Sequence, residues 1–208
     1  MNRGFGRLGL AMAASAATAG PASAHHVMGG RMAATFGEGL LSGLAHPIIG
    51  LDHFAAVVAV GCLAAAHVAG VRLALGYVLA MIAGVAVHLQ GASLPGSEIL
   101  VALSVIALGV ALLRQRQMAL GAALALFAAV GILHGYALGE SIYGAERTPL
   151  TAYLLGLAVI QSVVALGALY VARTLWRRSV DLSPLRLTGA GIAGIGLAIL
   201  VQQIVPGA

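Results

Sequence analysis

The sequence predicts an all-α membrane protein: a compact bundle of six transmembrane helices that follows a cleavable signal peptide. Three observations carry this prediction. The 208 residues are 61% apolar and 8% charged, with a mean hydropathy of +1.02, whereas about a quarter of a soluble domain is charged. Six apolar runs approach the roughly 20 residues that a bilayer crossing needs. The arginines segregate to one side of the topology that these runs define.

Residues 1–24 read as a secretory signal. Arg3 and Arg7 make the basic n-region, 8–17 the apolar h-region, and Ala22-Ser23-Ala24 an A-x-A cleavage site. An uncleaved first span is the alternative for this stretch. Residues 25–47 then form an outer N-terminal segment, and 48–205 form the transmembrane domain. Its spans are expected at 48–68, 71–89, 97–113, 117–138, 150–173 and 187–205. Gly and Ala recur in all of them, and small residues let membrane helices approach closely. With the mature N-terminus outside, the inner loops hold Arg72, Arg114, Arg116, Arg173, Arg177, Arg178 and Arg186. The outer segments hold only Arg31 and Arg147, with Glu38, Glu98, Glu140 and Glu146. Positive loops stay cytoplasmic, so the expected location is the bacterial inner membrane with both termini periplasmic. The net charge of +5 belongs to these segment ends and not to a nucleic-acid surface. One cysteine, Cys62, excludes an internal disulfide and a thiolate cluster.

On this topology six of the seven histidines collect at the outer face. His46 and His53 open the first span, His88 closes the second, His134 closes the fourth, and His25 and His26 lie on the outer tail. Only His67 faces inside. Asp52, Glu38 and Glu140 join the outer group. Ionisable groups at a membrane are costly and mark function, and imidazole with carboxylate suits nickel, cobalt and zinc. A straight helix would separate His46 from His53 by roughly 10 Å, too far for one ion with bonds of about 2 Å. Pro47 removes a backbone donor and Gly50 loosens the backbone, so the chain is expected to bend or unwind between them. Broken helices of this kind recur at transporter ion sites. Asp52 and His53 point about 100° apart on a helix, which makes one a ligand and the other its orienting neighbour. His134 and Glu140, beside Gly135 and Gly139, suggest a second helix end that loosens.

His46, Asp52, His53, His134 and Glu140 are thus the candidate metal residues, with His25, His26, His88 and Glu38 as additional ones. A lone interfacial histidine is more often structural, a reading that applies to His67 and also to His88. Glu98 and Glu146 read as solvated loop charges, and Tyr136, Tyr143 and Tyr153 as an aromatic belt.

The run His46-Pro47-x-x-Gly50-x-Asp52-His53 with Val60-Gly61 resembles the signature of the HupE/UreJ family. Leu133-His134-Gly135-Tyr136-Ala137-Leu138-Gly139-Glu140 resembles its second motif. The resemblance covers the whole mature chain. It implies a nickel or cobalt permease associated with hydrogenase or urease maturation, with His46, Asp52, His53 and His134 on the metal pathway. There are departures: Leu133 replaces a Phe, Leu138 replaces a His, Val57 a Met, and Val164-Ala165 a Leu-His pair. The motif's Glu falls on Ser141, one residue after Glu140.

The function expected is secondary uptake of a divalent transition metal, with Ni2+ or Co2+ as cargo and no permanent cofactor. The partners are the lipid bilayer and the ion, with self-association open. Scarce soft ligands argue against copper(I), and no Walker motif is present for ATP hydrolysis. Two alternatives are a haem-binding electron-transfer protein using His53, His88 and His134, and a metal-binding accessory protein for metalloenzyme maturation. An intramembrane metalloenzyme lacks a His-Glu-x-x-His helix or a nucleophile elbow, so no enzymatic activity is expected.

Overall fold

A computed structural model describes residues 31–114, 118–178 and 183–205. The signal-peptide reading, His25 and His26 lie outside these residues. The described chain forms helices only: α1 Phe36–Ile49, α2 Leu51–Ala64, α3 Gly70–Leu89, α4 Ser97–Arg114, α5 Leu120–Glu140, α6 Arg147–Arg178 and α7 Ser183–Ile204. Five of them, α3 to α7, are long and apolar enough to cross a membrane, and α1 with α2 makes a sixth candidate span bent by 77°.

The first helix of the bent pair begins ahead of the apolar run at 48–68. Helix starts at Phe36 and not near 48. A capping box starts it: the Glu38 N–H donates to Thr35 Oγ1 at 3.2 Å, and the Glu38 carboxylate accepts the Ala34 N–H at 2.8 Å and the Thr35 N–H at 3.2 Å. Gly37, Glu38, Gly39, Ser42 and Gly43 dilute the apolar signal of this helix, so hydropathy alone does not reveal it. Pro47 is tolerated inside α1, and the helix breaks three residues later at Gly50. The remaining spans fall close to their expected positions.

Helix α2 is the centre of the bundle. It touches each of the other six described helices, and 11 of its 14 residues are buried. Its neighbours pair most extensively as α3 with α5, α4 with α7, and α1 with α6. Glycine permits two of the closest approaches. A Cβ on Gly135 of α5 would run into the Met81 backbone of α3, and one on Gly43 of α1 would run into the Tyr153 carbonyl of α6. Backbones this close are what small residues achieve in membrane bundles. The contacts of Gly131 with Tyr77, Gly135 with Met81, and Gly139 with His88 show α3 and α5 running parallel. At the far end of α2, the Arg173 guanidinium donates to the His67 carbonyl at 2.9 Å and ties the α2–α3 turn to α6.

Candidate functional site

The break between α1 and α2 builds the site. His46 is buried in the last turn of α1, and Asp52 and His53 are buried in the first turn of α2. The bend brings the His46 and His53 rings to 6.2 Å between centroids, against the roughly 10 Å of a straight helix. Gly50 takes φ −73°, ψ 102°, an ordinary extended conformation. Glycine is therefore needed here for room and not for unusual dihedrals. A Cβ would sit 2.9 Å from His53 Cδ2 and 3.1 Å from Asp52 Oδ1. Having no side chain, Gly50 also leaves the start of α2 without a side-chain cap. Asp52 serves instead, its Oδ1 accepting the His53 N–H at 2.8 Å. This holds a carboxylate at the positive end of a helix dipole.

His134 completes the cluster from α5. It is 0% exposed, and both ring nitrogens are engaged. Its Nδ1 lies 2.9 Å from His53 Nδ1, with ring centroids 5.0 Å apart and planes at 75°. Its Nε2 lies 2.9 Å from Ser104 Oγ on α4. The Ser104 hydroxyl has one hydrogen, which it donates to the Val101 carbonyl at 2.7 Å. Ser104 must therefore accept from His134 Nε2–H. The neutral His134 then carries its lone pair on Nδ1, and His53 donates Nδ1–H to it. The hydrogen-bond inventory thus assigns both tautomers. Asp52 lies within electrostatic reach of His134 and of the Tyr77 hydroxyl.

The structure brings His46, Asp52, His53 and His134 together, and leaves other candidates elsewhere. Helix α5 does not loosen after His134. It runs unbroken to Glu140, which is exposed about 9 Å further along the axis. Gly135 and Gly139 serve close packing, Gly139 against the His88 side chain. Glu38 is engaged in its capping box. The His88 ring sits edge-on to Tyr136 at 4.6 Å and Tyr143 at 5.5 Å. Ser141, where the resemblance places a Glu, bonds the Leu138 carbonyl at 3.0 Å. Among the described residues, no three His, Cys, Asp or Glu side chains already close around a common point as a metal cage. Nitrogens 2.9 Å apart leave no space for an iron with two axial bonds of about 2 Å each, and His88 is packed among tyrosines.

Sequence reasoning missed Ser104 and Tyr77. Each is a polar side chain inside an apolar run, a signal too common in membrane helices to single out either one.

Comparison with known proteins agrees with the two motifs. A family profile described as HupE / UreJ protein matches residues 12–199. Protein HupE of Rhizobium leguminosarum bv. viciae is 30% identical over 189 residues, covering 89% of this chain and 94% of that protein. No solved structure matches the chain.

Proposed function

The chain belongs to the HupE/UreJ family, and on that premise we propose that it is a secondary permease for divalent transition-metal uptake, for nickel first and cobalt second. One observation carries the reading. Two motifs 81 residues apart in sequence meet through His53 and His134, at a helix break and beside a buried carboxylate.

The chemistry follows from that geometry. Adjacent ligands on a square around a metal with bonds of about 2.1 Å stand about 3.0 Å apart. The two Nδ1 atoms, at 2.9 Å, match this spacing. His134 already points a lone pair into the gap. His53 must surrender its Nδ1 proton, to solvent or by becoming the Nε2–H tautomer, before both nitrogens can face a cation. Asp52 supplies the negative charge that a divalent ion needs in a low-dielectric interior. His46 lies on the α1 side of the break, as the approach to the pair. A cage is not required, because conduction needs binding weak enough for the ion to leave.

The test is uptake of radiolabelled nickel into proteoliposomes. Wild-type protein is expected to accumulate it, and His53→Ala and Asp52→Asn to lose uptake while inserting normally. Wild-type rates in both variants would remove these residues from the pathway. A wild-type protein that moves neither nickel nor cobalt would overturn the permease reading.

A further inference from the structure

Outside the histidine cluster, buried polar atoms without a hydrogen-bond partner among the described residues remain on three side chains: His88, whose Nδ1 sits in a ring packed edge-on to two tyrosines, Tyr77 and Gln161. The Tyr77 hydroxyl on α3 and both amide atoms of Gln161 on α6 have no hydrogen-bond partner among the described residues. Tyr77 is 0% exposed and Gln161 1%. Burying such groups unpaired costs roughly 1–3 kcal/mol each, and unpaired polar groups in native structures call for an explanation. Ordinary packing does not require either one, since Phe or Leu would fill the same volume.

Helix register places both groups near one depth. On α3 and α5, Tyr77 lies opposite Gly131 and Met81 opposite Gly135. Tyr77 is therefore about one turn, or ~6 Å, from the level of His134 toward the His67–Arg173 end. On α6, the Tyr153 hydroxyl donates to the Leu138 carbonyl at 2.8 Å, one turn on the other side of His134. Gln161 lies eight residues beyond Tyr153, about 12 Å along the axis, which brings it level with Tyr77. Gln161 also shares the buried stripe of Tyr153, Leu157, Ala165 and Leu169. That stripe meets α1 at Gly43 and α2 at Gly61. The amide sits between these two approaches, on the side of the α1–α2 break. Asp52 acts electrostatically on the Tyr77 hydroxyl, which links this level to the cluster above it.

We propose that Tyr77 and Gln161 form a second station for the transported cation, one helical turn past the histidine pair, offering the phenol oxygen and the amide Oε1 as neutral donors. The proposal rests on the permease reading. Its ligand is a divalent transition-metal cation that keeps part of its water shell. Neutral oxygens bind such an ion more weakly than imidazole does. A weak site after a stronger one lets the ion move on.

The experiment compares wild type, Tyr77→Phe, Gln161→Leu and Gln161→Glu in liposomes. Nickel entry is read from a trapped fluorescent chelator, and thermal stability is measured on the same preparations. Tyr77→Phe and Gln161→Leu are each expected to lower the maximal rate about tenfold, the upper end for one neutral hydrogen-bonding group. Half-saturation should change less than about twofold, because the histidine pair is intact. Thermal stability should hold or rise, since an unpaired buried polar atom is removed. Gln161→Glu keeps an oxygen donor and should recover transport. Full rates in Tyr77→Phe and Gln161→Leu, with wild type active and His53→Ala inactive, would overturn the second station and leave the permease reading standing. So would a fall in stability that tracks the fall in rate, or a Gln161→Glu as slow as Gln161→Leu. An inactive wild type would remove the permease reading and this station with it.

Discussion

Replacing Ser104 with Ala probes the site through a residue that touches no ion in the mechanism above. Ser104 accepts from His134 Nε2–H at 2.9 Å while its own hydrogen goes to the Val101 carbonyl at 2.7 Å. Alanine removes that acceptor and leaves a fully buried N–H unpaired, which costs about 1–3 kcal/mol. The imidazole can avoid the penalty by moving its proton to Nδ1. The lone pair then leaves the gap facing His53. Either outcome weakens ion binding, and partners of ligating histidines are typically worth about 10–100-fold in metal affinity or activity. On the free-energy scale this is about 1.4–2.7 kcal/mol, in line with the hydrogen-bond figure. Nickel uptake in proteoliposomes, measured over a range of concentrations, should show half-saturation rising by at least about tenfold in Ser104→Ala. Ser104→Thr, which keeps the hydroxyl, should stay near wild type. Half-saturation unchanged in Ser104→Ala would mean that the tautomer is not set by this bond, and the lone-pair argument would fail.

Three further outcomes follow from the same structure. Gly135→Ala places a Cβ against the Met81 backbone, where no side chain can yield, so overpacking should cost about 1–3 kcal/mol and displace the adjacent His134. A thermal melt that matches wild type, with full uptake, would refute it. A reporter after Ala208 should read as periplasmic and one at Arg178 as cytoplasmic, from the arginine distribution; the reverse pattern would put the histidine cluster nearer the inner face. An ordinary imidazole titrates near ~6.5, and only neutral imidazole binds metal. Protons compete with the cation for imidazole nitrogen, so lowering the outside pH from about 7.5 to about 5.5, the range in which an ordinary histidine changes charge, should weaken apparent nickel affinity. An affinity that stays flat across that range would show that no histidine titrating within it competes with the ion.

The helical bundle was legible because apolar runs with few charges have one stable solution in lipid. The break was legible too, from Pro47 and Gly50, although the reason given for Gly50 was dihedral freedom and the structure shows a need for space. Helix α1 was not, because the glycines that let it approach α6 also lower its hydropathy. The same ambiguity misdirected the reading of α5. Gly135 and Gly139 look like loosening signals in sequence, yet they bring Met81 and His88 close and keep the helix intact past His134. The meeting of His53 with His134 depends on α2 lying at the centre of the bundle, and no local pattern encodes that. Ser104 is invisible for a related reason. Its role exists only once α4 and α5 are side by side.

The α1–α2 elbow has two faces. His46, Pro47, Gly50, Asp52 and His53 turn inward, while Ile48, Ile49, Leu51 and Phe54 lie on the bundle surface. Four apolar side chains thus cover the outside of the joint that sets the spacing of the imidazoles. Mismatch between a hydrophobic segment and the local bilayer thickness costs fractions of a kcal/mol per Å. That is comparable to a neutral hydrogen bond in water-exchanged terms. A bilayer seated against that apolar face would couple its thickness to the elbow angle, and nickel uptake compared in thin and thick bilayers would read that coupling.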